Sequence, residues 1–288
     1  MPTPSTTSTD PGRFTTEAYW DEYWGVHDVP LPAEIERDPR QLQVNAILDV
    51  FDRWLEPDAG KSALEIGGAP GRYLAYIHRR SGYSCTVLDS SPDGCRLARR
   101  NFQALDIPAT VHRGDLLDRA LDIGRFDLVY SLGLIEHFVD LEEVVAAHAR
   151  FVEPGGTLIL GVPNLLGVNH WFMKRLGPDR LAVHNTEAMP LERWDAFEGA
   201  LGLERRFRGF VGGFEPGVFA VLERRTPSTI ALFAVARLLQ LTVGSHLPAL
   251  RRFNHPKLSG YLMGVYRVPS PPAWSLEADR GDVDVRGR

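Results

Sequence analysis

Residues 63–77 read ALEIGGAPGRYLAYI, and this stretch decides the fold. Ala63 to Ile66 is short and apolar, as expected of a buried strand. Gly67, Gly68 and Gly71 follow, and the chain then takes on helical character from Arg72. Glycines at a strand-to-helix turn let backbone approach a ligand closely, although a tight turn alone also accounts for them. A pyrophosphate-binding loop needs glycines at its first, third and sixth positions. Counted from Gly67, the third position is Ala69 and the sixth is Arg72, a poor match. A carboxylate, Glu65, sits on the strand two residues before Gly67.

Working outward, strands and helices alternate. SALEIG, SCTVLD, ATVHRGD, FDLVYSLG and GGTLILGVPN read as strands, with helices in GRYLAYIHRR, SPDGCRLARRNFQAL and DLEEVVAAHARFVEP. The last is expected to be capped by Asp140 and stopped by Pro154. A further helix precedes them, with Asp38 as N-cap, Pro39 at its first position and Pro57 beyond its end. Such alternation predicts an α/β domain with a mostly parallel sheet covered by helices on both faces. Ligands then bind beyond the carboxyl ends of the strands.

The regularity breaks over 165–206, a long stretch rich in His, Asn and aromatics, expected to be a lid or substrate segment after strand 5. An irregular strand from Arg205, a helix over about Ser228 to Val243 within a late insertion (227–257), and a strand in SGYLMGVYRVP complete a single domain over 17–268. Polar segments 1–16 and 269–288 read as disordered tails.

Net charge is -5, which excludes a general electrostatic pull toward nucleic acid. Cys85 and Cys95 are the only cysteines and read as core thiols; no metal-ligand spacing is found. The N-terminus has no apolar signal region, and TIALFAVARLLQLTV is interrupted by Arg237 and Gln240. It falls short of the roughly 18 apolar residues of a membrane span. These features lead us to expect a soluble cytoplasmic protein without stable membrane insertion.

Two more acids join Glu65. Asp89 ends the second strand about 20 residues past the loop, where a carboxylate accepts ribose hydroxyls. Asp115 ends the third and either accepts from an adenine amino group or caps the next turn. These acids suit a ligand with a ribose, an adenine and a cationic group but no phosphate, such as S-adenosylmethionine.

The motifs LEIGGAPGRYL, VLDSSP, HRGDLLD, FDLVYSLGLIEHF and VEPGGTLILGVPN occur in an order that resembles class I S-adenosylmethionine-dependent methyltransferases. The resemblance covers about Ser62 to Asn164. It implies a Rossmann-like seven-stranded sheet whose last strand is antiparallel, with SGYLMGVYR as the candidate. The chain departs from the family at Ala69, where glycine is usual, and at Pro70. Alanine adds only a methyl, so cofactor binding is expected to persist. Position by position, the resemblance assigns Glu65, Gly67, Gly68, Ala69 and Gly71 to the methionine end of the cofactor, and Asp89 to the ribose. It puts Ser90, Asp115 and Leu116 beside the adenine, and Ser131, Leu132 and Gly133 near the sulfonium.

Methyl transfer needs acceptor, methyl and sulfur held in line with water excluded. A hydroxyl or ammonium acceptor also needs a base with a pKa near neutrality. His137 is the leading candidate, with Glu136 orienting it or touching substrate; a structural hydrogen-bonding role is the alternative. His170, His184 and Asn185 lie in the irregular segment and are candidate substrate contacts. Tyr19 and Trp20, in YWDEYW, belong either to a lid over the site or to a helix packed on the domain. Arg251, Arg252, His255 and Lys257 form a basic cluster that either grips an anionic acceptor or faces solvent. The late apolar helix suits a core element, a homodimer contact or, less simply, an interfacial segment. The expected function is methylation of a small molecule at O, N or C, with a saccharide or specialised metabolite as acceptor. A nicotinamide-dependent oxidoreductase and a non-catalytic cofactor-binding protein remain as alternatives.

Overall fold

The computed structural model describes residues 10–26, 29–213, 222–246 and 253–270. Helices α1 (Glu17–Val26) and α2 (Leu42–Trp54) precede β1 (Ser62–Ile66), α3 (Arg72–Ser81), β2 (Ser84–Asp89), α4 (Pro92–Ala104), β3 (Ala109–Arg113) and β4 (Phe126–Leu132). A 3-10 turn at Ile135–His137 leads to α5 (Leu141–Ala149) and β5 (Val152–Pro163). Then come α6 (Gly167–Leu176), α7 (Pro178–Ala182), two further 3-10 turns, α8 (Trp194–Ala200), β6 (Glu204–Val211), α9 (Pro227–His246) and β7 (Tyr261–Arg267).

The seven strands run in the order β3-β2-β1-β4-β5-β7-β6. β1 to β5 pair in parallel, and β7 lies antiparallel to both β5 and β6. This is the sheet the sequence led us to expect, with the reversed strand where SGYLMGVYR stands.

Strand periodicity explains the two cores. Successive side chains point to opposite faces. Leu64 and Ile66 of β1, Val129 of β4 and Leu158, Leu160 and Val162 of β5 therefore pack on one side, under Val144 and Val145 of α5 and Trp194 and Phe197 of α8. Ala63, Leu128, Tyr130 and Ile159 pack on the other, under Leu48 and Phe51 of α2 and Leu74 and Ile77 of α3. Glu65 shares its parity with Ala63 and is a carboxylate sunk into the second face, only 5% exposed. Cys85 and Cys95 are free and buried.

Several local expectations change. α2 begins at Leu42 with Gln41 at its cap position. Asp38 instead holds the preceding turn, accepting from the Arg40 backbone N–H at 2.9 Å, while its carbonyl accepts from the Gln41 N–H. α5 is capped by Asp140 as expected, through the Glu143 N–H at 3.0 Å. It ends at Ala149, however, and Pro154 lies inside β5. The 165–206 segment is largely helical, built from α6, α7 and α8. Residues 10–16 do not form a tail. The Phe14 N–H donates to the His137 carbonyl at 2.9 Å, and the Val139 N–H to the Gly12 carbonyl at 3.0 Å. Residues 1–9 and 271–288, and Arg251 and Arg252 of the basic cluster, lie outside the described residues. No described helix is long and apolar enough to cross a membrane.

Candidate active site

A cavity of about 680 Å³ opens at the carboxyl ends of β1, β2 and β4. Its floor is the 67–71 loop. Gly67 (φ +68°) and Gly71 (φ +84°) adopt left-handed backbone that disfavours side chains. A Cβ at Gly71 would also run into the Phe102 ring, and one at Gly68 would lie 2.8 Å from Glu65 Cγ. The loop is thus bare for two reasons: backbone conformation, and the space taken by Phe102 and Glu65. The Ala69–Pro70 bond is cis.

Glu65 Oε2 is buried without a hydrogen-bond partner. Burial pushes the carboxyl up to about 8, opposed first by the neighbouring Tyr130 hydroxyl and then by the Arg72 cation. A buried carboxylate oxygen with no donor is costly, and this one faces a cavity. Asp89 accepts from the Ala69 N–H at 3.3 Å and the Ser91 N–H at 2.9 Å. These bonds tie the end of β2 to the glycine loop, while burial raises Asp89 to about 6. Ser90 and Leu116 line the cavity beside it.

Of the two roles that its position suggested, Asp115 takes the cap. It caps the next turn through the Leu117 N–H at 2.9 Å. Both its oxygens also accept from Arg13 Nη2, at 2.8 and 2.6 Å. The N-terminal strap thereby closes over the carboxyl end of β3. Behind it, α1 is pinned to α4: Asp21 Oδ1 accepts from the Ser91 hydroxyl at 3.0 Å and the Asp93 N–H at 2.9 Å. Tyr19 is buried, and both Tyr19 and Trp20 line the cavity. The helix thus packs on the domain and lines the cavity with the same aromatic residues.

At the carboxyl end of β4, Leu132 and Gly133 line the cavity, but Ser131 does not. Strand alternation turns Ser131 to the opposite face, where its hydroxyl meets His148 Nε2 at 2.9 Å. Glu136 and His137 follow in the 3-10 turn, both buried. Glu136 Oε2 has no partner, and burial raises its carboxyl to about 8. The His137 Nδ1–H donates to the Val183 carbonyl at 2.8 Å. Burial and the neighbouring His184 hold the ring down at about 3, so it is neutral and a weak base. The Trp20 ring stands edge-on to it at 5.0 Å.

Of the insertion candidates, only His184 reaches the cavity. Its ring centroid is 4.7 Å from that of His137, and its Nδ1–H donates to the Arg180 carbonyl at 2.7 Å. His170 is half-buried on α6, away from the cavity. Asn185 is buried behind the 3-10 turn and donates through Nδ2 to the Phe138 carbonyl. Sequence reading found no metal ligands, yet the fold gathers one ligand atom each from Glu136, His137 and His184 within 4.8 Å of one another. It also missed Arg13, Arg180 and Tyr261, which line the same space. Arg13 and Arg180 carried no motif that could have flagged them; Tyr261 opens the reversed strand.

Residues 63–156 match the family described as "Methyltransferase domain". Among curated relatives, the probable chloroplastic tocopherol O-methyltransferase of Oryza sativa subsp. japonica is 28% identical over 188 residues, covering 60% of this chain and 49% of that one. The ubiquinone biosynthesis O-methyltransferase of Methylobacterium sp. (strain 4-46) is 30% identical over 110 residues, covering 38% and 43%. The match therefore spans less than half of either relative. The crystal structure of geranyl diphosphate C-methyltransferase from Streptomyces coelicolor A3(2), in complex with Mg2+, geranyl diphosphate and S-adenosyl-L-homocysteine, superposes with a TM-score of 0.56 at 12% identity, covering 87% of this chain and 97% of that one. That likeness is one of fold. The domain match from β1 into the start of β5 agrees with the sheet order and the acid-lined glycine loop: residues 63–156 resemble a methyltransferase domain, set in a Rossmann-like seven-stranded sheet.

Proposed function

We propose that the protein transfers the methyl group of S-adenosylmethionine to a small-molecule acceptor. The observation that carries this reading is the orphaned Glu65 oxygen beside a glycine loop that bars side chains. A buried carboxylate facing bare backbone suits a cationic amino acid moiety. Once ionised against such a group it is unsuited to a pyrophosphate, which the anion would repel.

Glu65, Gly67, Gly68, Ala69 and Gly71 would hold the methionine end. Asp89 would accept from the ribose hydroxyls, and both its oxygens are already fixed by backbone donors. Ser90 and Leu116 would border the adenine, and Leu132 and Gly133 the methyl. When bound, the cofactor supplies an electrophilic methyl; the chain contributes alignment and dryness. Thr15, Tyr19 and Trp20 roof the cavity against water.

The acceptor would enter beside Glu136 and His184, against Leu165 and Met173. This apolar and aromatic wall favours a specialised metabolite with a flat or apolar body over a saccharide. The names of the tocopherol and ubiquinone relatives point the same way, toward an oxygen acceptor.

Calorimetric titration with S-adenosylhomocysteine and with NADH tests the cofactor reading. Saturable binding of the first alone is expected, and binding of NADH alone would overturn it. Transfer from methyl-labelled S-adenosylmethionine to a panel of phenols and sugars then tests the acceptor class.

A further inference from the structure

Glu136, His137 and His184 come from two separate segments and form, among the described residues, a three-ligand group beside the cavity. We propose that this group is a divalent transition-metal site, facing the acceptor, that would hold an acceptor oxygen as an additional ligand.

Three features carry the proposal. The first is the donor set. Two imidazoles and one carboxylate suit Zn2+, Fe2+ or Co2+, whereas Mg2+ and Ca2+ prefer all-oxygen sites. The second is the orientation of the rings. In both, Nδ1 is bonded to a backbone carbonyl, that of Val183 for His137 and that of Arg180 for His184. A carbonyl only accepts, so Nδ1 carries the proton and Nε2 keeps its lone pair. Backbone carbonyls commonly fix metal-ligating histidines in this way. The third is the carboxylate. Glu136 is 1% exposed, and its Oε2 has no hydrogen-bond partner. Neither imidazole quenches it, and a cation would.

The spacing permits closure. The three ligand atoms lie within 4.8 Å of one another, while metal bonds of about 2.0–2.2 Å require ligands about 3–3.5 Å apart. Torsion of the Glu136 side chain, whose Oε2 has no partner, would supply that contraction while both rings stay on their carbonyls. Three protein ligands leave positions open toward the cavity, as in catalytic rather than structural sites. Arg180 lines the same space, so an anionic or oxygen-rich acceptor would meet positive charge there. The site does not depend on the cofactor reading, because none of its ligands belongs to the glycine loop or to Asp89.

The test uses the full chain after stripping with a chelator. Titration with Co2+ should give one equivalent bound, with visible d–d absorption that Zn2+ abolishes by displacement. Glu136→Gln, which keeps size and shape, and His184→Ala should each weaken Co2+ binding at least 10-fold. His78→Gln, on the far side of the sheet, should leave it unchanged. Circular dichroism and S-adenosylhomocysteine binding verify that each variant folds. Equal Co2+ affinity in the wild type and Glu136→Gln, or binding without d–d bands, would overturn the proposal. Failure of the stripped protein to bind S-adenosylhomocysteine would count against the proposed function while leaving the metal result standing.

Discussion

The Asn185 backbone N–H donates to the Glu136 carbonyl oxygen across 2.6 Å, joining the α7–α8 segment to the turn that follows β4. The Asn185 side chain adds two bonds to this link. Its Nδ2 donates to the Phe138 carbonyl at 3.0 Å, and its Oδ1 accepts from the Glu187 N–H at 3.0 Å. Asn185→Ala removes both side-chain bonds and strands a buried carbonyl, which costs about 1–3 kcal/mol. A lower denaturation midpoint is expected, with S-adenosylhomocysteine affinity close to wild type. An unchanged midpoint would show that the backbone bond alone holds the turn.

Glu65 makes cofactor binding proton-linked. In the ligand-free protein its carboxyl titrates near 8, so it is mostly protonated at pH 7. Against a cationic amino group it ionises and releases its proton. S-adenosylhomocysteine affinity should therefore rise with pH from 6 to 8. The binding enthalpy at pH 7 should vary with the ionisation enthalpy of the buffer. Glu65→Gln should remove that dependence; a buffer-independent enthalpy in the wild type would contradict the assignment.

Asp89→Ala should weaken S-adenosylhomocysteine binding by about 1–3 kcal/mol through lost charged hydrogen bonds. Part of that loss is indirect, since the Ala69 and Ser91 N–H groups lose their acceptor. Asp89→Asn keeps an acceptor oxygen and should lose less. Equal affinity for all three proteins would remove Asp89 from the ribose site.

Gly68→Ala probes the same floor by crowding. The new Cβ would sit 2.8 Å from Glu65 Cγ, so the carboxylate must turn away. Cofactor affinity should fall while thermal stability changes little, because Gly68 is not among the glycines at positive φ. Gly71→Ala should instead lower stability, combining φ +84° with a clash against Phe102.

His148 gives the fold a distinct acid sensitivity. It is fully buried between the Val144 carbonyl and the Ser131 hydroxyl. Burial lowers its pKa from 6.5 to about 4. Because the folded value is depressed, the unfolded chain takes up the proton first. The stabilising contribution is complete above pH 6.5 and declines as pH falls toward 4. Relative to His148→Gln, the wild type should lose about 3 kcal/mol between pH 7.5 and 4. A pH-independent gap between the two proteins would mean His148 does not titrate on unfolding.

What could be read in advance was local. The strand–glycine–helix unit and the acids at Glu65 and Asp89 lie within one chain segment, and their spacing alone places them at one end of the sheet. Ser131 was misplaced because it and Leu132 are successive residues of β4 and cannot face the same side; alternation sends Ser131 toward α5. His184 meets His137 across 47 positions of chain, and Arg13 meets Asp115 across 102. No periodicity records such meetings. Tyr261 escaped for a topological reason. The last strand is expected to be reversed, and that reversal has a consequence for Tyr261: the beginning of β7, not its end, lies at the ligand edge. There the Tyr261 hydroxyl donates to the Gly161 carbonyl at 3.4 Å.

The strap from Asp10 to Thr16 adds nothing to the seven-stranded sheet, yet it forms a wall of the chamber beneath it. The smallest fragment able to fold and the smallest able to enclose its ligand are therefore different lengths of chain. A fragment trimmed to start just ahead of α2 would keep both hydrophobic layers and present an open trough to water.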